Sequence, residues 1–250
     1  MWPDLPRPVV FAHRGASAHA PENTLAAFAL AGHLGAPAIE FDVKLSRDGH
    51  VVVIHDPTVD RTTDGHGRVH EMTLADLRAL DAGAKFSAEC RGERIPTLDE
   101  VFEMTSKKLF MNVELTNYAT PFDGLVDTVA GLVKRHGTGK RVMFSSFSPA
   151  NLFRAWRLLP DAPRGQLSLP GASGAWQRAA GSLIPVQAEH PFYADVTART
   201  VGRAHARGRR VHVWTVNDPA EMRRLFALGA DGIFTDDPAL GLGILQEAQV

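Results

Sequence analysis

Short apolar runs recur along this chain, each ending in a polar residue and followed by a stretch with helical spacing. The first, Val9-Val10-Phe11-Ala12, runs into His13-Arg14-Gly15. Ala38-Ile39 leads to Glu40 and Asp42, Leu109-Phe110-Met111-Asn112-Val113 to Glu114, and Val142-Met143-Phe144 to Ser145. Later runs end near Leu167, near Gln187, at Trp214 after Val211-His212-Val213, and at Thr235 after Gly232-Ile233-Phe234. Runs of this length bounded by turn residues read as buried strands. Between them, Pro21-Glu22-Asn23-Thr24 opens a helix to about Leu34, and Thr97 caps one through Glu103. Asp218-Pro219 supplies another N-cap with a first-turn proline. Strand and helix alternating in this way predict a parallel sheet clothed in helices.

One segment breaks the alternation. Residues 44–96 hold a second extended run, Val51-Val52-Val53-Ile54, then the turn-like Asp60-Arg61-Thr62-Thr63-Asp64-Gly65 and a short helix from Leu74 to Leu80. Setting this segment aside as an insertion leaves eight strand–helix units. The pattern is faintest at the fifth and sixth, where Ser168 to Ser182 is rich in glycine and serine. His13, Glu40, Asp42, Glu114 and Trp214 all fall at or just past the carboxyl ends of their strands. In a barrel those ends share one face, the face where active sites are built. An open doubly wound sheet would show the same alternation but would carry a glycine-rich nucleotide turn after its first strand. His13-Arg14-Gly15-Ala16-Ser17 lacks those glycines. The expected fold is therefore α/β: one (β/α)8 TIM barrel domain over residues 1–250, with a small insertion (44–96, hairpin plus short helix) after the second strand.

The chain's 250 residues suit that fold, for which about 250 is typical. Lys plus Arg number 27 against 28 Asp plus Glu, a formal net charge of −1. Such balance argues against a nucleic-acid partner, which selects for a basic footprint. Cys90 is the one cysteine and cannot close an intrachain disulfide. The N-terminal Met1-Trp2-Pro3-Asp4-Leu5-Pro6-Arg7-Pro8 is proline-rich and lacks the apolar core of a signal peptide. No stretch approaches the ~18 apolar residues of a membrane span. We therefore expect a cytoplasmic protein with no integral membrane segment.

The chemistry concentrates around Glu40 to Asp56. Asp48-Gly49 suits a tight hairpin turn, and a two-residue turn there would set Asp42 directly opposite His55. Glu40 and Asp42 share a strand face, since side chains alternate. Two carboxylates so close repel unless a proton or a cation sits between them, and an all-oxygen pair suits a hard ion such as Mg²⁺ or Ca²⁺. A histidine beside such an ion can serve as general acid or base. The plain alternative is an exposed acidic strand face with His55 merely packing, but the apolar runs on either side argue for a buried setting. Other polar residues have simpler readings. Glu22 and Asn23 suit a helix start, Ser145-Ser146-Phe147 lacks the glycines of a nucleophile elbow, and His212 belongs to no constellation. His190 falls at an expected strand end and joins the candidates on that ground alone.

Taken together, His13-Arg14-Gly15, Pro21-Glu22-Asn23-Thr24, Glu40-Phe41-Asp42-Val43, Asp48-Gly49, His55-Asp56, Asn112-Val113-Glu114, Val213-Trp214-Thr215-Val216-Asn217 and Asp231 to Pro238 resemble the glycerophosphodiester phosphodiesterases of cytoplasmic bacterial type. The match spans the chain in order. The resemblance implies a (β/α)8 barrel with an insertion after the second strand, and hydrolysis of small-molecule glycerophosphodiesters to glycerol 3-phosphate and an alcohol. It implies Glu40, Asp42 and Glu114 as ligands of one divalent cation, Mg²⁺ or Ca²⁺, His13 and His55 as the acid–base pair, and Arg14 as a phosphate contact. Trp214 then reads either as barrel core or as a cover for the glycerol moiety. There is one departure. Thr116 stands where the family commonly places a lysine, in Asn-x-Glu-x-Lys, so that Thr116-Asn117-Tyr118 reads either as a substrate contact or as a structural loop. Two further readings stand beside the first: a lysophospholipase D-like activity at the same site, and a barrel that binds a metabolite without catalysis.

Overall fold

The computed structural model describes residues 5–105, 108–180 and 184–247, apart from the side chains at 175, 176 and 178–180. The first four residues of the proline-rich N-terminus, and 181–182 of the glycine- and serine-rich stretch, lie outside the described residues. The chain runs β1 (Val9–His13), α1 (Leu25–His33), β2 (Ala38–Leu45), β3 (Val51–Val53), α2 (Leu74–Arg78), α3 (Leu98–Thr105), β4 (Phe110–Leu115), α4 (Leu125–His136), β5 (Val142–Ser146), α5 (Pro149–Leu158), β6 (Arg164–Ser168), α6 (Gly171–Ala180), β7 (Ala188–Pro191), α7 (Ala198–Ala206), β8 (Arg210–Val213), α8 (Pro219–Ala227), β9 (Gly232–Thr235) and α9 (Pro238–Glu247). Every strand but β3 pairs in parallel, in the order β1-β9-β8-β7-β6-β5-β4-β2, and β2 returns to β1. This closed eight-stranded (β/α)8 barrel is the fold that the alternation predicts.

Period-two alternation divides the strand residues between two layers. Ile39, Phe41, Val43, Met111, Val113 and Phe144 face outward and pack on helix residues such as Phe28, Leu98, Phe102 and Val129. Phe11, Phe110, Met143 and Phe234 fill the interior, and the Phe11 and Phe234 rings stack with centroids 4.6 Å apart. His190 and His212 lie there too, both fully buried, with Nε2 of one 3.2 Å from Nδ1 of the other. Gly165 makes room for this pair: a Cβ there would stand 2.2 Å from His190 Nε2. His190 is thus interior packing below the mouth, not the mouth candidate that an expected strand end suggested. β7 starts at Ala188 rather than ending at Gln187, because Pro185 has no N–H to give the ladder and pairing begins past it.

The hairpin differs from expectation by one residue. Val43 faces Val53 and Leu45 faces Val51, so the turn takes three residues, Arg47 to Gly49, between the paired Ser46 and His50. Gly49 adopts φ +83, the left-handed residue that closes a three-residue hairpin loop. Asp42 therefore lies across from Ile54, whose N–H donates to its carbonyl, and not from His55. From β3 onward, Val52, Ile54, Val59, Val69, Leu77 and Ile95 form a small core of their own beside the barrel.

Candidate active site

The barrel registers assemble the acidic cluster. His13 of β1 lies beside Glu40 of β2, and Asp42 lies beside Glu114 of β4. His13 and Glu114 are the last inward-facing positions of β1 and β4, Glu40 and Asp42 are successive inward positions of β2, and one carboxylate oxygen each from Glu40, Asp42 and Glu114 lie within 4.8 Å of one another. Glu40 and Asp42 are buried and Glu114 partly so. Burial, then the charges of Asp42 and Glu114, push the Glu40 carboxyl well up from its ordinary value. Burial and Asp42 push Glu114 up to about 8. Burial raises Asp42 too, but Arg14, His55 and a bond from Asn23 outweigh it and hold Asp42 low. One acid thus ionises at the expense of its neighbours. Glu40 Oε1 is buried with no hydrogen-bond partner. Three converging carboxylates with an unpartnered oxygen fit a hard divalent cation.

Each mouth histidine is backed by its own carboxylate. His13 Nδ1–H donates to Asp236 Oδ1 at 2.6 Å, and Asp236 is fixed in turn by Ser17 and Asn217. His55 Nδ1–H donates to Asp56 Oδ1 at 2.6 Å. Asp56 carries a fork from Arg61, and although burial opposes it, the bonds from Arg61 and His55 hold its pKa down to about 2. Ionised acceptors fix the Nδ1–H tautomer and leave Nε2 of each ring free for proton transfer. His13 Nε2 lies 3.9 Å from Glu40 Oε2. His55 reaches the cluster not by register but because the chain turns over β2 just past β3.

The turn after β1 is built around glycine. Arg14 and Gly15 both take positive φ, at 55 and 85, and a Cβ on Gly15 would meet Ala27 backbone atoms at 2.7 Å. That close approach to α1 lets the Arg14 N–H donate to Glu40 Oε2 at 3.1 Å and sets the Arg14 guanidinium 2.9 Å from Glu22 and 3.3 Å from Asp42. Glu22 also carries Arg61, and Asn23 donates to Asp42 Oδ2 at 2.9 Å. Both acidic and amide side chains thus belong to the site, not only to the start of α1.

The rim is aromatic on one side. Tyr118 O–H donates to Glu114 at 2.9 Å, the Phe147 ring packs edge-on to Tyr118 and to Trp214, and Trp214 Nε1–H donates to the His190 carbonyl. His13, Arg14, Glu40, His55, Glu114 and Trp214 line one cavity of about 100 Å³. Thr116 plays a structural part, donating to Val43 O, while it and its carbonyl each accept the Lys44 ammonium at 2.8 Å. Asn117 is held by Asp123 and Asn151. The residues that sequence reasoning passed over are Asp236, Asp56, Glu22, Asn23 and Lys44. A signal existed for Asp236: barrel closure makes the last strand the neighbour of the first, so an acid ending β9 must fall beside His13.

The fold and this mouth define a (β/α)8 barrel that gathers imidazoles and carboxylates at its strands' carboxyl ends. The sequence profile of the Glycerophosphoryl diester phosphodiesterase family matches residues 13–240, and the chain belongs to that family. It is 40% identical over 240 residues to a glycerophosphodiester phosphodiesterase of Caldanaerobacter subterraneus subsp. tengcongensis, covering 96% of this chain and 98% of that one. It is 35% identical to a glycerophosphodiester phosphodiesterase of Bacillus altitudinis, covering 95% and 98%. Among solved structures, an Oleispira antarctica phosphodiesterase in complex with the product sn-glycerol-3-phosphate superposes with a TM-score of 0.89 at 34% identity, covering 96% and 97%.

Proposed function

We propose that this protein hydrolyses glycerophosphodiesters to glycerol 3-phosphate and an alcohol, with His13 and His55 moving the protons and Glu40, Asp42 and Glu114 holding one divalent cation, Mg²⁺ or Ca²⁺. The observation that carries this reading is the pair of carboxylate-backed imidazoles flanking three converging carboxylates in one barrel mouth. A barrel that only binds a metabolite has no use for two imidazoles held in one tautomer. Family membership supports the substrate class, and the relative with bound sn-glycerol-3-phosphate supports the product.

An ion held by the three carboxylates would neutralise charge on the phosphoryl oxygens. The side chains supply the rest. Nε2 of one histidine accepts the proton of the attacking hydroxyl, from water or from the glycerol's own hydroxyl through a cyclic phosphate. Nε2 of the other donates to the departing alkoxide. Asp236 and Asp56 keep each ring oriented and stabilise it while it is protonated. Arg14, fixed by Glu22 and Asp42, brings a guanidinium suited to phosphate oxygens. Trp214 covers the glycerol end from the cavity wall. The ends of the strands hold these groups rigidly, so the reacting atoms meet prearranged dipoles.

The deciding experiment is a panel of glycerophosphocholine, glycerophosphoethanolamine, glycerophosphoglycerol and lysophospholipids, assayed with chelator and with Mg²⁺ or Ca²⁺ restored. Release of glycerol 3-phosphate only in the presence of a divalent ion is expected. Unchanged rates in chelator would remove the ion from the reading, and turnover of lysophospholipids alone would replace the substrate class.

A further inference from the structure

We propose that the cavity between the 44–96 segment and the β4–α4 loop receives the leaving alcohol of the diester, and that Lys44 makes it select an uncharged alcohol over a quaternary ammonium. The proposal rests on the phosphodiesterase reading and adds to it the exit side and the head-group class.

A phosphodiester presents an alcohol on each side of its phosphorus, so the site must hold two ends. Two cavities meet at His55. One is the mouth cavity of about 100 Å³ over the carboxylates. The other, of about 220 Å³, lies outside it, with Leu45, Pro57, Val69 and Tyr118 among its walls and Lys44 on its side nearest β4. His55 lines both. With Nδ1 given to Asp56, Nε2 is the nitrogen left to protonate a leaving oxygen from a residue that borders both cavities.

The character of the outer cavity is set by what its wall contains. Among its described lining residues, Lys44 is the one permanently charged side chain and none is a carboxylate. The ammonium is held in place by the Thr116 carbonyl and hydroxyl, both at 2.8 Å, which leaves one N–H for a ligand oxygen. A quaternary ammonium is recognised by a carboxylate or by several aromatic faces. Among the described lining residues, Tyr118 is the one Phe, Tyr or Trp ring, beside the imidazoles of His55 and His70, and its hydroxyl is given to Glu114. A choline head group would thus lie beside the Lys44 ammonium with no carboxylate among the described lining residues, the acids that face that ammonium (Asp42, Glu114, Asp56 and Asp123) lying behind the wall, while a neutral alcohol meets apolar walls and one donor. A way out past His13 is acidic on balance, with Glu22, Asp236 and Asp237 on its walls against Arg14. A head group leaving there would not sense Lys44.

The test is the ratio of kcat/KM for glycerophosphoglycerol to that for glycerophosphocholine, in the wild type and in Lys44→Arg, Lys44→Met and Lys44→Glu, all with saturating divalent ion. Taking the ratio within each protein cancels differences in folded fraction and any effect on the phosphoryl group common to both diesters. The wild type and Lys44→Arg should favour the glycerol diester by roughly tenfold, the scale of one unit charge several Å away in an interfacial dielectric. Lys44→Met should bring the ratio near one, and Lys44→Glu should reverse it. A ratio that Lys44→Glu leaves unmoved overturns the assignment of this cavity, and so does a wild-type preference for the choline diester. Hydrolysis of neither diester by the wild type brings down the phosphodiesterase reading and this proposal with it.

Discussion

Mild acid should destabilise this protein from inside its barrel. His190 is fully buried against His212, and burial lowers its pKa from 6.5 to about 3. Below the unfolded value the unfolded chain binds a proton that the folded chain refuses, so stability rises with pH. The contribution is complete above 6.5 and is lost as pH falls toward 3. Between about pH 7 and about pH 5, the loss from His190 alone comes to ~2 kcal/mol. His212 is pushed the same way by burial and by His190, and while the folded chain protonates neither ring its loss adds to that of His190 and is common to both proteins compared. Glu114 works in the opposite sense. With its folded value near 8, its ionisation costs stability as pH rises, and that cost disappears toward 4.5. The bare slope of the wild type therefore mixes the two, and the informative quantity is a difference. Urea unfolding at the two pH values, in chelator, should show the wild type losing ~2 kcal/mol more than His190→Gln, which retains a polar side chain without the titration. Equal losses in the two proteins would refute the buried-histidine argument.

Three further outcomes follow from the same geometry. His13→Ala and His55→Ala should each lower turnover of a glycerophosphodiester by ~10²–10⁴-fold while circular dichroism stays unchanged; near-normal turnover in either removes that ring from proton transfer. Gly15→Ala should cost ~2–4 kcal/mol in denaturant unfolding, because its Cβ meets the Ala27 backbone at 2.7 Å with φ at +85; a cost under ~0.5 kcal/mol, the scale of an ordinary surface change, would show the contact can relax. Mg²⁺ or Ca²⁺ at ~100-fold over its dissociation constant should stabilise the wild type by ~2.7 kcal/mol, a rise of ~5–10 °C in Tm for a chain of this size. Glu114→Gln should lose most of that rise, and no shift in the wild type would exclude a cation at the cluster.

The barrel was legible because its evidence is local. Apolar runs, caps such as Thr24 and Thr97, and polar residues at strand ends all show within a few positions. The errors occurred where one residue decides. A three-residue turn closed by Gly49 shifts the hairpin by one place and removes Asp42 from opposite His55. Pro185 delays β7 and puts His190 inside the barrel instead of at its rim. Neither error moves the acidic cluster, because that cluster depends on the β1–β2 and β2–β4 registers.

What the sequence hid is support from far along the chain. Asp236 lies 223 positions from His13, Arg61 reaches Glu22 across 39, and Lys44 reaches Thr116 across 72. Residues paired at such separations carry no periodic signal, and each has a duller local reading as a cap, a turn or a surface charge. Closure of the barrel changes that. A sheet whose last strand lies against its first places the residues ending β9 beside those ending β1, and every inward strand end faces the same small mouth. Once eight units are counted, polar residues at those ends should be treated as mutual neighbours whatever their separation. On that rule Asp236 becomes the partner of His13 before any coordinate is known, and Lys44, next inward after Asp42, becomes part of the mouth.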